Sequence, residues 1–476
     1  MELDALLKFG VLIIGFYMAW NIGANDVSNA MGTSVGSGAL TMRRAVIIAA
    51  ILEFCGAFFL GGNVSETMQS GLIDTQLFAA DPLILVIGMC GALLGTGIWL
   101  QLASYFGLPV STTHAIVGSI VGFGALAAGF GAVQWGEVGS VAVSWVVSPL
   151  LSGIFAYFLF NALQRKILFA MNPTAATRKF LPLLVFCVFF TFTLSLIFNG
   201  LSRIDLTLTF AEATGISLCF ALIAALITYT IISRIPLPKL AQTTTSLALP
   251  QNLISLEKAI KHLRRVRAIS PDETRTKISG LLDEMHLMAE NMRRKTHYTE
   301  RTSEYHQVEK WFIPLQIISA CFIAFAHGAN DVANAIGPMA AVLDTLKNGV
   351  ITGSAPVPSW LLAFGGLGIV IGLATWGWRV IQTIGKKITQ LTPTRGFCAE
   401  FGAAITILFA SKLGLPISTT HCLVGAVLGV GLARGLRALN LSMVKDIVLS
   451  WIITLPASAL ISIICFYLLR LMLPSS

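Results

Sequence analysis

Twelve runs of mostly apolar residues, the majority about twenty residues long, are strung along the chain: about 5–24, 43–62, 83–102, 108–130, 138–161, 180–200, 206–233, 311–333, 359–380, 397–411, 415–433 and 446–471. A run of ~18–20 apolar residues is long enough to cross the hydrocarbon core of a bilayer as a helix. Composition agrees. The 476 residues are 55% hydrophobic and only 12% charged, about half the charge of a soluble domain. The 43 glycines suit helices that pack closely in lipid. No cleavage site follows the first run, which is expected to stay as a membrane span. These features predict an all-α polytopic membrane protein with about twelve transmembrane segments.

The net charge of +9 resides between the apolar runs. Charge in that position orients a chain in the membrane and does not call for a nucleic-acid partner. The one long polar stretch, 239–310, carries helical runs such as LEKAIKHLRRVR and no motif that suggests chemistry. With it in the cytoplasm, alternating crossings put Arg43, Arg44, Arg165, Lys166, Arg178, Lys179, Lys386, Lys387, Arg395, Arg434, Arg437 and Lys445 inside. Only Lys8, Arg203, Lys347, Lys412 and Arg470 fall outside. Both termini are then external. The eight cysteines form no CxxC and no Cys/His cluster, and read as buried, inert thiols.

The chain also repeats itself. GANDVSNA (23–30) returns as GANDVANA (328–335), GLPVSTTHAIVG (107–118) as GLPISTTHCLVG (414–425), and Ser144-Trp145 as Ser450-Trp451. Three markers with nearly one offset mean an internal duplication of about 160 residues. Seven crossings separate equivalent points, so the copies are expected to insert upside down relative to each other, with helices broken at the midplane, where the sites of such inverted repeats lie. The organisation predicted is a first transmembrane repeat (1–165), two connecting helices (166–238), a charged cytoplasmic loop (239–310) and a second repeat (311–476).

Each repeated phrase has its own chemistry. In PVSTTH, Gly107 and Pro109 stop any helix arriving from before, and Pro can start the next. Ser111, Thr112 and Thr113 then sit at its cap or first turn, where free N–H groups and the positive end of the helix dipole point. Hydroxyls added to a helix start make an anion site. Ser418, Thr419 and Thr420 build the same cradle in the second copy. His114 and His421 read first as orienting groups and second as substrate contacts. In GANDVSNA the chemistry is opposite. Asn25, Asp26 and Asn29, with Asn330, Asp331 and Asn334, are hard oxygen ligands at membrane depth, suited to Na⁺ at Asp26 and Asp331 or to a proton on the carboxylates. Gly23 and Gly328 are expected to permit a local helix break. Two further acids, Glu53 and Glu400, lie in apolar runs and are not equivalent; Glu400 aligns near Leu93.

GANDVSNA, GANDVANA, the paired GLP[VI]STTH phrases and TPTRGFCAE (392–400) resemble the inorganic phosphate transporter (PiT) family of cation-coupled symporters. The resemblance covers everything but the 239–310 loop. It implies uptake of orthophosphate, in some bacterial members as a metal–phosphate complex, driven by Na⁺ or H⁺, with no cofactor and no enzymatic step. Phosphate would be held by Ser111, Thr112, Thr113, Ser418, Thr419 and Thr420. Cations would be served by Asn25, Asp26, Asn330 and Asp331, with Asn29 and Asn334 close by and Glu53 and Glu400 matching acidic positions of relatives. Ser28 stands against Ala333, so the two cation sites need not be equal. A sulfate permease is the alternative within the resemblance. An anion channel would also use rings of donors, but would show flux without cation dependence and without saturation at low substrate, and a Ser111–His114 hydrolase lacks an acid to orient the imidazole. The expected setting is a bacterial inner membrane with lipid around the helices; a homo-oligomer is compatible with the sequence.

Overall fold

An apolar chain satisfies its backbone polar groups within helices, and this one does so almost throughout. The computed structural model describes residues 2–62, 64–65, 67–200, 208–235, 249–269, 271–299, 303–352, 356–381, 390–435 and 438–472. Among these the only β pairing is an isolated bridge between Ile73 and Val133. The helices in order are α1 (Glu2–Asn25), α2 (Val27–Gly36), α3 (Met42–Leu60), α4 (Pro82–Tyr105), α5 (Thr112–Ala128), α6 (Trp135–Leu163), α7 (Pro173–Gly200), α8 (Phe210–Arg234), α9 (Leu249–Ile269), α10 (Asp272–Thr299), α11 (Ser303–Asn348), α12 (Ser359–Trp376), α13 (Pro393–Lys412), α14 (Thr419–Arg434) and α15 (Leu441–Met472).

Every apolar run of the sequence falls on one of these helices. Among the described residues, eight helical stretches, those of α1–α2, α4, α6, α7, α8, α11, α12 and α15, are long and apolar enough to cross a membrane. Helices α5 and α14 are apolar but shorter. Helix α3 carries Arg43, Arg44 and Glu53, and α13 carries Arg395 and Glu400, which weakens their apolar signal.

Two compact units form. One comprises Met1–Phe160, Thr191–Ile216 and Ile313–Ser476 and so holds both copies of the duplicated motifs. The other comprises Asn161–Phe190 and Ser217–Phe312. In the latter, α9 and α10 pack through Ile260, Ile278, Leu282 and Ala289, flanked by Leu253, Leu256, Leu263 and Met285. The three-and-four spacing of these residues puts them on one face of each helix. Arg264 Nη2 lies 2.7 Å from His286 Nε2, and His286 Nδ1 lies 2.5 Å from the Leu282 carbonyl oxygen. That pattern fixes the ring proton on Nδ1.

In the first unit the copies interlock. A Cβ on Gly23 of α1 would strike the backbone of Ile369 on α12, and a Cβ on Gly328 of α11 would strike the backbone of Glu53 on α3. Gly372 meets the Trp20 backbone and Gly56 the Phe325 backbone in the same reciprocal way. Gly118 of α5 rests on Leu455 of α15, and Gly425 of α14 on Pro149 of α6. Each copy therefore supplies the surface on which the other closes. The α3 and α12 contacts align Glu53 with Ile369 and Gly56 with Gly372; the helix-ending glycines Gly61 and Gly377 keep that spacing. The longer connection before α12 shifts this pair by about ten residues relative to the motifs.

One expectation is corrected here. The helix does not break at Gly23 or Gly328. Helix α1 runs to Asn25, Asp26 alone separates it from α2, and α11 continues unbroken through Asp331. The glycines are spent on close helix approach instead. The predicted breaks occur before α5 and α14, where Gly107 and Gly414 take positive φ of 66° and 67°, a conformation open to glycine at little cost. Pro109 does not start α5 but lies in the extended stretch ahead of it.

Gly328→Ala should lower thermal stability in detergent by an overpacking cost of about 1–3 kcal/mol. Gly139→Ala, on an open helix face, should leave it unchanged. Fluorescence-monitored melting of both variants checks this; equal melting would contradict the close α3–α11 approach.

Candidate functional site

Both STTH phrases begin helices. Ser111 caps α5, its Oγ accepting from the His114 N–H at 3.1 Å. Ser418 caps α14 and accepts from the His421 N–H at 3.2 Å. Thr112 and Thr419 then open the helices, and all six hydroxyl residues are buried.

The hydroxyls and the GAND carboxylates form one site. Thr112 Oγ1 donates to Asp26 Oδ2 at 2.6 Å. The equivalent Thr419 Oγ1 donates to Asp331 Oδ2 at 2.9 Å. Thr420, from the other copy, donates to Asp26 Oδ1, with the Val110 carbonyl 3.3 Å away as a second acceptor. Its equivalent Thr113 donates to the Ile417 carbonyl at 3.0 Å. Asn334 Nδ2 reaches Thr112 and Thr113 Oγ1, both at 3.2 Å. The side chains of Ser28 and Asn29 lie outside the described residues.

The asparagines pin the loops that carry the cradles. Asn25 Nδ2 donates to Ser104 Oγ at 3.0 Å and to the Leu108 carbonyl at 3.1 Å, and Asn25 Oδ1 accepts from the Val110 N–H at 3.3 Å. Asn330 Nδ2 donates to Ser411 Oγ at 3.0 Å. Ser104 and Ser411 hold equivalent places and were not singled out by sequence reasoning; their common spacing was the available signal.

The copies differ around the carboxylates. His327 Nδ1 lies 2.8 Å from Glu53 Oε2, and its Nε2 lies 2.8 Å from Asp331 Oδ2. In the other copy, Ile22 and Ile369 occupy the places of His327 and Glu53. Sequence reasoning noticed Glu53 but missed His327, although HGAND against IGAND marked it. Asp26, His327 and Asp331 present ligand atoms within 4.8 Å of one another, all buried. Two unit charges at that separation repel by about 3–4 kcal/mol at an effective dielectric of about 20, so a cation between them is favoured. Oxygen ligands remain for one: Asp331 Oδ1, Asn330 Oδ1 and Asn334 Oδ1 are buried with no hydrogen-bond partner among the described residues. The donor set suits a hard cation.

Glu400 sits apart on α13. Its Oε1 accepts from Thr33 (2.6 Å), Ser34 (2.7 Å) and Gln316 (3.2 Å), and its Oε2 from Ser319 (2.5 Å). It is fully buried and ties α2 to α11. Its four partners escaped the sequence reading because lone Ser, Thr and Gln residues in apolar helices carry no pattern. His114 and His421 meet at a ring-centroid distance of 4.3 Å, each against the tryptophan of its own copy: Trp145 at 3.8 Å and Trp451 at 3.6 Å.

The chain is a polytopic helical membrane protein that buries two hydroxyl-capped helix starts against two carboxylates. The chain belongs to the phosphate transporter family, whose family model matches residues 22–462. It is 44% identical to inorganic phosphate transporter 2-1, chloroplastic, of Arabidopsis thaliana over 462 residues, covering 96% of this chain and 71% of that one. A solved structure described as the sodium-dependent phosphate transporter superposes with a TM-score of 0.78 at 34% identity, covering 98% of this chain and 100% of the other. The protein is thus an integral membrane protein of phosphate transport, and sulfate finds no support in these matches.

His327→Ile leaves Glu53 buried without its partner and should cost about 3–5 kcal/mol of stability. The double variant Glu53→Ile/His327→Ile reproduces the Ile22–Ile369 arrangement and should recover most of that loss. Thermal melting of the two variants tests the pairing; a double variant no more stable than the single one would count against it.

Proposed function

We propose that the chain imports inorganic phosphate by symport with a cation, Na⁺ in the first place. The observation that carries this reading is Asp26, whose carboxylate accepts hydroxyls from both helix starts, Thr112 and Thr420. While those hydroxyls face a bare carboxylate, a phosphate dianion is repelled from the cradle. A cation at Asp26 and Asp331 offsets the negative charge and frees hydroxyl donors for the anion. Binding of each ion then favours the other, a reciprocal linkage.

On this reading Ser111, Thr112, Thr113, Ser418, Thr419 and Thr420 bind phosphate. Asn25, Asp26, Asn29, Asn330, Asp331 and Asn334 serve the cation sites. Glu53 acts on Asp331 through His327. Glu400, ringed by hydroxyl and amide N–H donors, is a coupling acid away from the cradle. The equivalents of Gln316, Ser319 and Glu400 in the first copy are Val11, Ile14 and Leu93, and those of Thr33 and Ser34 in the second are Pro338 and Met339, so packing alone does not require this polar cluster. The two copies are taken as inverted repeats whose rocking exposes the site alternately, in a bacterial inner membrane with the 239–310 segment cytoplasmic and both termini outside. The name of the structural neighbour supports Na⁺. A proton is the second reading, favoured by His327 standing between two carboxylates.

Labelled phosphate uptake into proteoliposomes, under a Na⁺ gradient or a proton gradient and with excess sulfate, tests the proposal. Accumulation under the Na⁺ gradient, unaffected by sulfate, is expected. Asp26→Asn should reduce uptake at least about 100-fold, the loss of about 2.7 kcal/mol of transition-state stabilisation, while the protein still folds. Full, Na⁺-dependent uptake by Asp26→Asn would remove the coupling role.

A further inference from the structure

A polar stripe runs between α1 and α4 toward the site, in one copy only. On α1, Tyr17, Asn21 and Asn25 recur every four residues and share a face. On α4, Gly97, Gln101 and Ser104 face them. Tyr17 donates its phenolic O–H to Gln101 Oε1. The Tyr17 ring lies over Gly97, where any larger residue would displace it. Asn21 Nδ2 donates to the Tyr17 carbonyl at 2.9 Å. One turn further on, Asn25 holds Ser104 at 3.0 Å, and Asp26 follows. Tyr17 and Gln101 are partly exposed, whereas Asn21 is completely buried.

Asn21 Oδ1 is the informative atom. It is buried and has no hydrogen-bond partner among the described residues. A buried amide oxygen left unpaired costs stability, and the fold does not need it there. The equivalent stripe in the other copy is Phe322, Ala326 and Leu408 in place of Tyr17, Asn21 and Gln101, leading to the matching Asn330–Ser411 contact. Those three residues are buried and apolar. The equivalent helix pair therefore packs with apolar residues at these three places. What the first copy gains is a set of oxygens: Asn21 Oδ1, Gln101 Oε1 and Tyr17 Oη.

We propose that Asn21, with Gln101 and Tyr17, forms a further cation position, a relay on the route of the coupling ion to Asp26. The free buried atom is a lone-pair donor, and the amide nitrogen of Asn21 already donates to the Tyr17 carbonyl; the stripe therefore attracts a cation and offers an anion little. Its apolar counterpart beside Asp331 confines this route to one carboxylate of the two. The inference rests on the symport reading above, and the test separates them.

The test is the cation dependence of labelled phosphate uptake in proteoliposomes containing the whole protein. In Asn21→Ala and Gln101→Leu, the latter carrying the residue of the other copy, the half-saturating Na⁺ concentration should rise by about tenfold, which is about 1.4 kcal/mol. The half-saturating phosphate concentration, measured at saturating Na⁺, should stay unchanged. Asn21→Asp keeps an oxygen at the position and should restore the wild-type Na⁺ dependence. Binding of labelled Na⁺ to the purified protein, which needs no turnover, should shift in the same way and decides the matter for any variant that transports slowly. Wild-type uptake that needs no cation would overturn the symport reading and the relay with it. Cation-dependent wild-type uptake, with Na⁺ dependence unaltered in both Asn21→Ala and Gln101→Leu, would overturn the relay alone. A matching rise in the phosphate requirement would assign the stripe to the anion instead.

Discussion

The Asp26 carboxylate, buried and held by a hydroxyl from each copy of the duplicated sequence, is the contact on which the rest of the structure depends. A carboxylate at membrane depth is tolerated only with partners. Supplying them from both copies fixes a great deal of geometry. The starts of α5 and α14 must meet at the junction of α1 and α2. That meeting needs the extended stretches after Gly107 and Gly414, and Asn25 and Asn330 to anchor them. It also needs α1 and α11 to sit deep between the helices of the opposite copy, which Gly23 and Gly328 allow by omitting a side chain. The packing of the first unit is therefore inseparable from its site.

Much of this was legible in the sequence, for physical reasons that differ by element. Apolar length gave the helices, because lipid leaves the backbone few alternatives. The cradle at Ser111 and Ser418 was legible because capping is local: a hydroxyl at the start of a helix acts on N–H groups within three residues. Contacts that depend on tertiary register were not. Gly23 admitted two readings, a break or a close approach, and only the position of Ile369 decides between them. The equivalence of Glu53 with Ile369 was hidden by the longer connection ahead of α12, which shifts that pair out of step with the motifs. His327 was unread because a single histidine beside a motif gains meaning only when Glu53 comes within 2.8 Å.

Duplication supplies the frame, and divergence supplies direction. The copies agree where the frame requires it: Asn25–Ser104 with Asn330–Ser411, Thr112–Asp26 with Thr419–Asp331, and Ser111 with Ser418. They disagree where charge is handled. Beside Asp331 stand His327 and Glu53; beside Asp26 stand Ile22 and Ile369. The first copy is polar at Tyr17, Asn21 and Gln101, where the second is apolar, and the second is polar at Gln316, Ser319 and Glu400, where the first is apolar.

This exchange of polar and apolar places has a mechanical consequence on the proposed symport reading. Two identical halves would present the same ion path to both sides of the membrane, and a cation could enter and leave by equivalent routes with nothing to distinguish its first carboxylate from its second. Unequal surroundings remove that degeneracy. Asp331 has the His327 imidazole 2.8 Å from its Oδ2. Asp26 accepts hydroxyls from both helix starts, Thr112 and Thr420, which orient toward a carboxylate but do not neutralise it. Asp26 is the carboxylate that ties up a cradle hydroxyl from each copy. A cation that satisfies Asp26 releases donors from both helix starts at once, and that single event couples the cation site to the anion site across the whole interface between the copies.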